Sequence, residues 1–229
     1  MGQQPSCMSS LLLGFVLWLV WMARHSPGGF SAQPCTHYGP VSMKNLWEVW
    51  TSALSDAECD NIISRAQTYP THIGSIGDGK NYKTENRNIR SCDVRWLDRN
   101  AESEIVDRFM SFVRSSNRTN FGINIVSPFE IQFTEYYATD NGKYDWHHDV
   151  FFEADRSYNR KLTVVIQLSD PSEYEGGQFE FFSMPSPGEV FMPRGSLLIF
   201  PSFFNHRVLP VTKGVRRSLV SWIEGPRWQ

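Results

Sequence analysis

His147 and Asp149 stand two positions apart in the stretch Tyr144-Asp145-Trp146-His147-His148-Asp149. On a β-strand, side chains at i and i+2 point to one face, so an imidazole and a carboxylate would lie within reach of a common point. Two histidines and one carboxylate bound to one face of a metal leave coordination positions open, the arrangement of non-haem Fe(II) oxygenases. His148 lies between the two and turns to the opposite face. Choosing it as the ligand would pair it with Val150, which has no donor atom, so it reads as a packing or surface histidine. A third ligand must come from elsewhere. Of the other histidines in the part of the chain that reads as a domain, His72 sits in an early loop region and His206 in a late strand. A hairpin-rich double sheet can bring His206 against the His147 strand, and it is expected to complete the set.

Arg216 and Ser218 follow on the next strand. By the same alternation Arg216, Ser218, Val220 and Trp222 share one face, and Arg217, Leu219 and Ser221 the other. An arginine with a hydroxyl two positions on can hold a carboxylate by a bidentate ion pair plus one further hydrogen bond. Spacing therefore assigns Arg216 and Ser218 to an anionic co-substrate.

The elements that must position these groups are legible in outline. Ser55-Asp56-Ala57-Glu58 is a capping box that opens a helix through Gln67, with Cys59, Ile62, Ile63 and Ala66 on one side. The loop from Gly74 to Arg87 contains Gly77-Asp78-Gly79-Lys80, which lacks the full phosphate-loop pattern and reads as an exposed flap. Ile89 to Leu97 alternates like a half-buried strand. Asn100 is the expected N-cap of a second helix whose Ile105, Phe109, Phe112 and Val113 form one apolar stripe. Seven strands are then expected, over 129–137, 144–151, 162–168, 178–182, 196–200, 205–209 and 216–223. Turn signals separate them, among them Asp140-Asn141-Gly142, Gly176-Gly177 and Lys213-Gly214. Two helices ahead of a strand-rich region predict an α+β, mainly β fold.

At this point the motifs resemble a known family. His147-x-Asp149, His206 and Arg216-x-Ser218 together are similar to the Fe(II)/2-oxoglutarate-dependent dioxygenases of the prolyl 4-hydroxylase-like branch. Tyr137 to Asp149 resembles that branch's Tyr-x-x-Gly-x-x-Tyr-x-x-His-x-Asp, with the two tyrosines one residue further apart. Leu168-Ser169-Asp170 with Glu175-Gly176-Gly177, and Gly195 to Pro201 with His206 to Gly214, resemble its following segments. The resemblance implies a double-stranded β-helix, or jelly roll, over roughly 129–224. It implies Fe(II) on His147, Asp149 and His206, and 2-oxoglutarate on Arg216, with Tyr137 and Thr163 also touching this co-substrate. Tyr144 and Trp222 match pocket-lining aromatics, for which ordinary core packing is the competing reading. Dioxygen as second co-substrate, and ascorbate as a candidate reductant, come with the same resemblance. The implied reaction hydroxylates an unactivated C–H bond, on a prolyl residue of a protein or peptide or on a small molecule or free amino acid. Asp149 stands where related halogenases lack the carboxylate, which favours hydroxylation. Two other classes compete: a zinc or manganese cupin-like enzyme and a non-catalytic module that kept the fold.

Composition sets bounds around these motifs. The 229 residues carry a net charge of −2, with 41% hydrophobic, 14% aromatic and 20% charged residues. That is globular, and bulk electrostatics give no reason to expect a nucleic-acid or anionic-membrane partner. None of the four cysteines forms a C-x-x-C pair, so a zinc ribbon or thioredoxin motif is absent. Cys59 and Cys92 are expected as buried free thiols, with a disulfide between them left open. Asn117-Arg118-Thr119 is a glycosylation pattern that matters only in the secretory pathway. The leader, residues 1–43, contains the apolar run Leu11 to Met22, shorter than the ~20 residues of a spanning helix. Three readings stand side by side: a signal or anchor segment, a myristoylated Gly2 with Cys7 as a second lipid site, and an extension upstream of a domain that begins near Met43. A start near Met43 implies a cytoplasmic protein; otherwise the chain is membrane-anchored or secretory. The catalytic domain is expected over 44–229.

Overall fold

The computed structural model describes residues 44–77, 84–150 and 157–228. The leader with its apolar run and lipidation pattern, most of the Gly77–Lys80 loop, and the first part of the stretch 151–160 lie outside them. Among the described residues no helix is long and apolar enough to cross a membrane.

In chain order the elements are β1 (Glu48–Trp50), α1 (Asp56–Ala66), β2 (His72–Ile73), β3 (Arg90–Ser91), β4 (Asp93–Leu97) and α2 (Ser103–Ser116). They continue with β5 (Pro128–Tyr137), β6 (Lys143–His147), β7 (Tyr158–Gln167), β8 (Tyr174–Gly176), β9 (Phe179–Phe181), β10 (Leu197–Pro201), β11 (His206–Val208) and β12 (Val211–Pro226). An eight-stranded antiparallel sheet runs β1-β10-β7-β12-β5-β4-β2, with β8 added along β12. A four-stranded sheet, β3-β6-β11-β9, faces it. This is the predicted mainly β fold with two N-terminal helices, a double-stranded β-helix.

The major sheet is buried on both faces, which is why β7 and β10 read as continuous apolar runs rather than alternating ones. Val164, Ile166, Leu197 and Ile199 pack toward α1 and α2 with Ile62, Phe109 and Val113. Val165, Leu198 and Phe200 pack the other way, with Phe179, Phe181 and Val208 of the minor sheet. Each large side chain sealed in these layers contributes about 1.5–3 kcal/mol. The sheet is thus clamped between helices and a second sheet, and the space between the two sheets is where polar groups can gather.

Several expectations needed revision. The Ile89–Leu97 segment is not one strand: it breaks at Cys92, so β3 pairs with β6 in one sheet and β4 with β5 in the other. The segment is a corner between the sheets. Lys213-Gly214 is not a turn but part of the long strand β12. Gly214 has φ +69°, and a Cβ there would lie 1.9 Å from the Glu173 carbonyl oxygen, where β8 crosses. The capping box at Ser55 is present with both reciprocal bonds. Asn100 is not the cap of α2. Asp98 accepts from the Asn100 and Ala101 amides at 2.8 and 2.9 Å, and the N-cap position falls on Glu102, without a side-chain cap bond. Glu102 is buried and bonds Arg65 and the Tyr69 hydroxyl instead. Both Cys59 and Cys92 are buried and free.

The Asp98 turn gives a test. Asp98→Ala is expected to lower stability in urea unfolding clearly more than Asn100→Ala does. Equal losses would return the cap to Asn100.

Candidate metal and co-substrate site

His147 is the last residue of β6 and His206 the first of β11, and the two are direct cross-strand partners in the minor sheet. Each ring nitrogen Nδ1 lies against a carbonyl two residues back: Asp145 at 2.8 Å for His147, Phe204 at 2.9 Å for His206. A carbonyl accepts only, so Nδ1 carries the proton and Nε2 presents its lone pair to the cavity. Burial and the neighbouring His206 push His147 well below its ordinary pKa, and burial lowers His206, so both rings are held neutral. His206 is further fixed by Phe179, stacked at 5.2 Å.

Asp149 corrects the strand argument. β6 ends at His147, so Asp149 is not on the strand at all. Its amide bonds the Ser202 carbonyl at 2.8 Å, and its carboxylate accepts from Thr163 Oγ1 at 2.8 Å. Its two oxygens lie 3.8 Å from His147 Nε2 and 3.6 Å from His206 Nε2. Burial would raise its pKa, but its polar surroundings, Arg160 and the Thr163 hydroxyl among them, outweigh this and hold it below the ordinary value. The ligand atoms of the three residues all fall within 4.8 Å of one another. Two neutral imidazole lone pairs and a carboxylate aimed at one point suit a cation. Metal–ligand bonds of ~2.0–2.2 Å fit separations of this size. His148, also past the end of β6, is exposed and lies at the rim of the same cavity.

These groups line a cavity of about 520 Å³ between the sheets. Arg216, Ser218, Val220 and Trp222 all face it from β12, as their shared parity predicts. Arg216 is 2% exposed and has no carboxylate or hydrogen-bond partner among the described residues. Its guanidinium carbon lies 5.6 Å from the Tyr136 ring centroid. Arg217, one residue on, points away and pairs with Glu135.

Tyr137 does not line the cavity; Tyr136 does. Tyr136 is the cross-strand partner of Arg216, while Tyr137 pairs with Val215 and lies beside Glu135 and Arg217 on the other face. A slip of one residue inverts every side chain of a strand. The alternation Glu130, Gln132, Thr134, Tyr136 against Ile131 and Phe133 carried the right answer. Thr163 lines the cavity but spends its hydroxyl on Asp149 and Ser202. Tyr144 stacks on His147, ring centroids 3.5 Å apart and nearly coplanar in orientation.

Residue reasoning passed over two cavity arginines. Arg90 bonds Gln132 Oε1, the Ser75 carbonyl and Cys92 Sγ, and its guanidinium lies 4.5 Å from the Tyr144 centroid. Arg90, Tyr144 and His147 therefore form a continuous stack behind one of the three converging donors. Arg160 lies 3.9 Å over Trp222 and pairs with Glu130 at 2.9 Å. Neither has a sequence signal, because a strand arginine is ordinarily a surface charge.

Comparison with known proteins agrees with this geometry. Residues 131–224 match the family model described as the 2OG-Fe(II) oxygenase superfamily. A PKHD-type hydroxylase of Synechococcus sp. (strain CC9902) is 38% identical over 81 residues, covering 35% of this chain and 36% of the relative. One from Aliarcobacter butzleri (strain RM4018) is 35% identical over 105 residues, 44% of each chain. The matches thus span less than half the length of these curated relatives. A viral collagen prolyl hydroxylase from Paramecium Bursaria Chlorella virus-1, solved with 2OG, superposes with TM-score 0.59 at 21% identity, covering 79% of this chain and 97% of that one. A Trichoplax adhaerens prolyl hydroxylase, solved with a peptide fragment of the hypoxia inducible factor oxygen degradation domain, gives 0.61 at 18%, covering 78% and 83%. These two likenesses concern the fold. Residues 131–224 thus resemble the 2OG-Fe(II) oxygenase superfamily, and the fold around them is similar to that of prolyl hydroxylases.

The Arg90 stack is testable by stability. Arg90→Met leaves Gln132 and Ser75 acceptors unpaired and is expected to cost about 2–3 kcal/mol. Arg90→Lys should recover only part, because an ammonium cannot replace a planar fork. Urea unfolding of the three proteins measures this, and full recovery by lysine would contradict it.

Proposed function

We propose that this chain is an Fe(II)- and 2-oxoglutarate-dependent hydroxylase of an unactivated C–H bond. The observation that carries the reading is Arg216: a buried cation with no counter-ion among the described residues, facing the same cavity as three converging metal-type donors. Buried charge without a partner is costly, so the site is built for an anion.

In this reading His147, Asp149 and His206 would hold Fe(II). Bound iron would supply the oxidant from dioxygen and 2-oxoglutarate, with succinate and CO₂ as the co-products. The chain positions the partners and keeps water out. Arg216 takes the distal carboxylate of 2-oxoglutarate in a bidentate pair, with Ser218 and Tyr136 at its sides. Tyr144 holds the His147 ring. Trp222, under Arg160, forms the wall on which a substrate group would rest. The catalytic unit is residues 44–229.

For the substrate, a prolyl residue of a protein or peptide is the favoured class. The support is fold-level likeness to prolyl hydroxylases, one of them solved with a peptide. A free amino acid or other small molecule is the alternative. A cupin-like zinc or manganese enzyme would share the donors but would have no use for Arg216.

Three measurements test this. Purified protein with Fe(II), ascorbate and 2-oxoglutarate should release succinate, and peptides or small molecules screened with it should gain the mass of one oxygen atom. Asp149→Ala should abolish turnover; retained iron-dependent succinate formation would sink the assignment. Arg216→Met should weaken 2-oxoglutarate binding by about 10²-fold or more, as loss of one partner of a buried charge pair does. Tyr136→Phe should weaken it modestly, and Tyr137→Phe not at all. Unchanged affinity in the Arg216 variant would shift the reading to a metalloenzyme of another kind.

A further inference from the structure

Asp149 lies past the end of β6, so something other than the strand must fix its carboxylate. Two buried hydroxyls surround it. Thr163 on β7 and Ser202 just beyond β10 are both fully buried. Thr163 Oγ1 lies 2.8 Å from Asp149 Oδ2 and 3.0 Å from Ser202 Oγ. A carboxylate that serves a metal is ionised and only accepts. Thr163 has one proton, so it donates to Asp149 Oδ2 and accepts from Ser202. The direction of the chain follows: Ser202 O–H to Thr163, Thr163 O–H to Asp149. Ser202 also holds Asp149 through its backbone, accepting the Asp149 amide at 2.8 Å.

We infer that Thr163 and Ser202 are positioning residues that fix which oxygen of Asp149 meets the metal. Oδ1 lies 3.8 Å from His147 Nε2 and Oδ2 lies 3.6 Å from His206 Nε2, so both oxygens face the cavity; with one lone pair of Oδ2 engaged by Thr163, Oδ1 is the freer oxygen to offer. A carboxylate pinned in this way binds through one oxygen and leaves the next position open for a co-substrate. Thr163 thus serves the metal end of the site rather than touching 2-oxoglutarate. This inference rests on the proposed metal reading, and groups that orient a ligand typically change metal affinity by about 10–100-fold when removed.

The test is Co(II) titration of the full chain, followed by calorimetry and visible absorption. Thr163→Val keeps the branched shape and removes the hydroxyl. It should weaken Co(II) binding by about 10–100-fold and alter the cobalt spectrum as the second oxygen joins the metal. Thr163→Ser should restore both. Ser202→Ala should weaken binding less, and Thr163→Val with Ser202→Ala should be no worse than Thr163→Val alone, because Ser202 acts through Thr163. Thermal unfolding in the presence of chelator separates these effects from misfolding. If Thr163→Val does not fold, Ser202→Ala against wild type decides through the spectrum. Wild-type-like cobalt binding and spectrum in Thr163→Val, or additive losses in the double variant, would overturn the inference while leaving the metal reading intact. A wild-type chain that takes up no Co(II) would overturn both.

Discussion

A carboxylate must be held, ionised and fully enclosed, at a point where no strand carries it. The rest of the structure depends on meeting that constraint. β6 delivers His147 and stops; β11 delivers His206 from the adjacent strand. Asp149 crosses the gap and is caught by the opposite sheet, through Ser202 and Thr163. The metal-type set is therefore not a property of one sheet. It exists only when the two sheets face each other at the right separation, which the packed layer of Phe179, Phe200 and Val208 sets.

Burial gives this arrangement its chemistry. In water an imidazole pair and a carboxylate would each be solvated and indifferent to one another. Between the sheets, desolvation strips the imidazoles of their protons, and backbone carbonyls choose the tautomer. Arg216 is buried in the same cavity and has no counter-ion among the described residues, which is what the proposed anion-binding role requires. Arg90, by contrast, has its donors satisfied by neutral acceptors and lends its charge to a ring stack. Three cavity arginines thus have three different roles, set by what lies within hydrogen-bond reach of each.

How much of this was legible in the sequence depended on the kind of signal. The convergence of His147, Asp149 and His206, and the facing of Arg216 into their cavity, were legible because residue type and spacing specify them together; the capping box at Ser55 was legible because its two bonds are local. The fold class was legible from strand density. Two of the misreadings share a cause. Tyr137 against Tyr136 is a parity error of one residue, and parity depends on where a strand begins. Asp149 was placed on β6 by the same rule, applied one residue past the strand's end. Asn100 lost to Asp98 because either side chain suits a turn, and the tertiary pull of Glu102 toward Arg65 and Tyr69 sets the register. Arg90, Arg160 and Ser202 had no local signature; only the meeting of distant strands makes them part of the site.

The metal-type donors sit on the minor sheet and its edge, whereas Arg216 and Ser218 sit on β12 in the middle of the major sheet, bonded on both sides to β5 and β7. Under the proposed reading, the two groups that would grip one small dicarboxylate are thus carried by separate sheets. The aromatic layer of Phe179 and Phe200 packed between those sheets would then act as a caliper. Its thickness, rather than any residue touching the acid, would set the carbon-chain length the site spans.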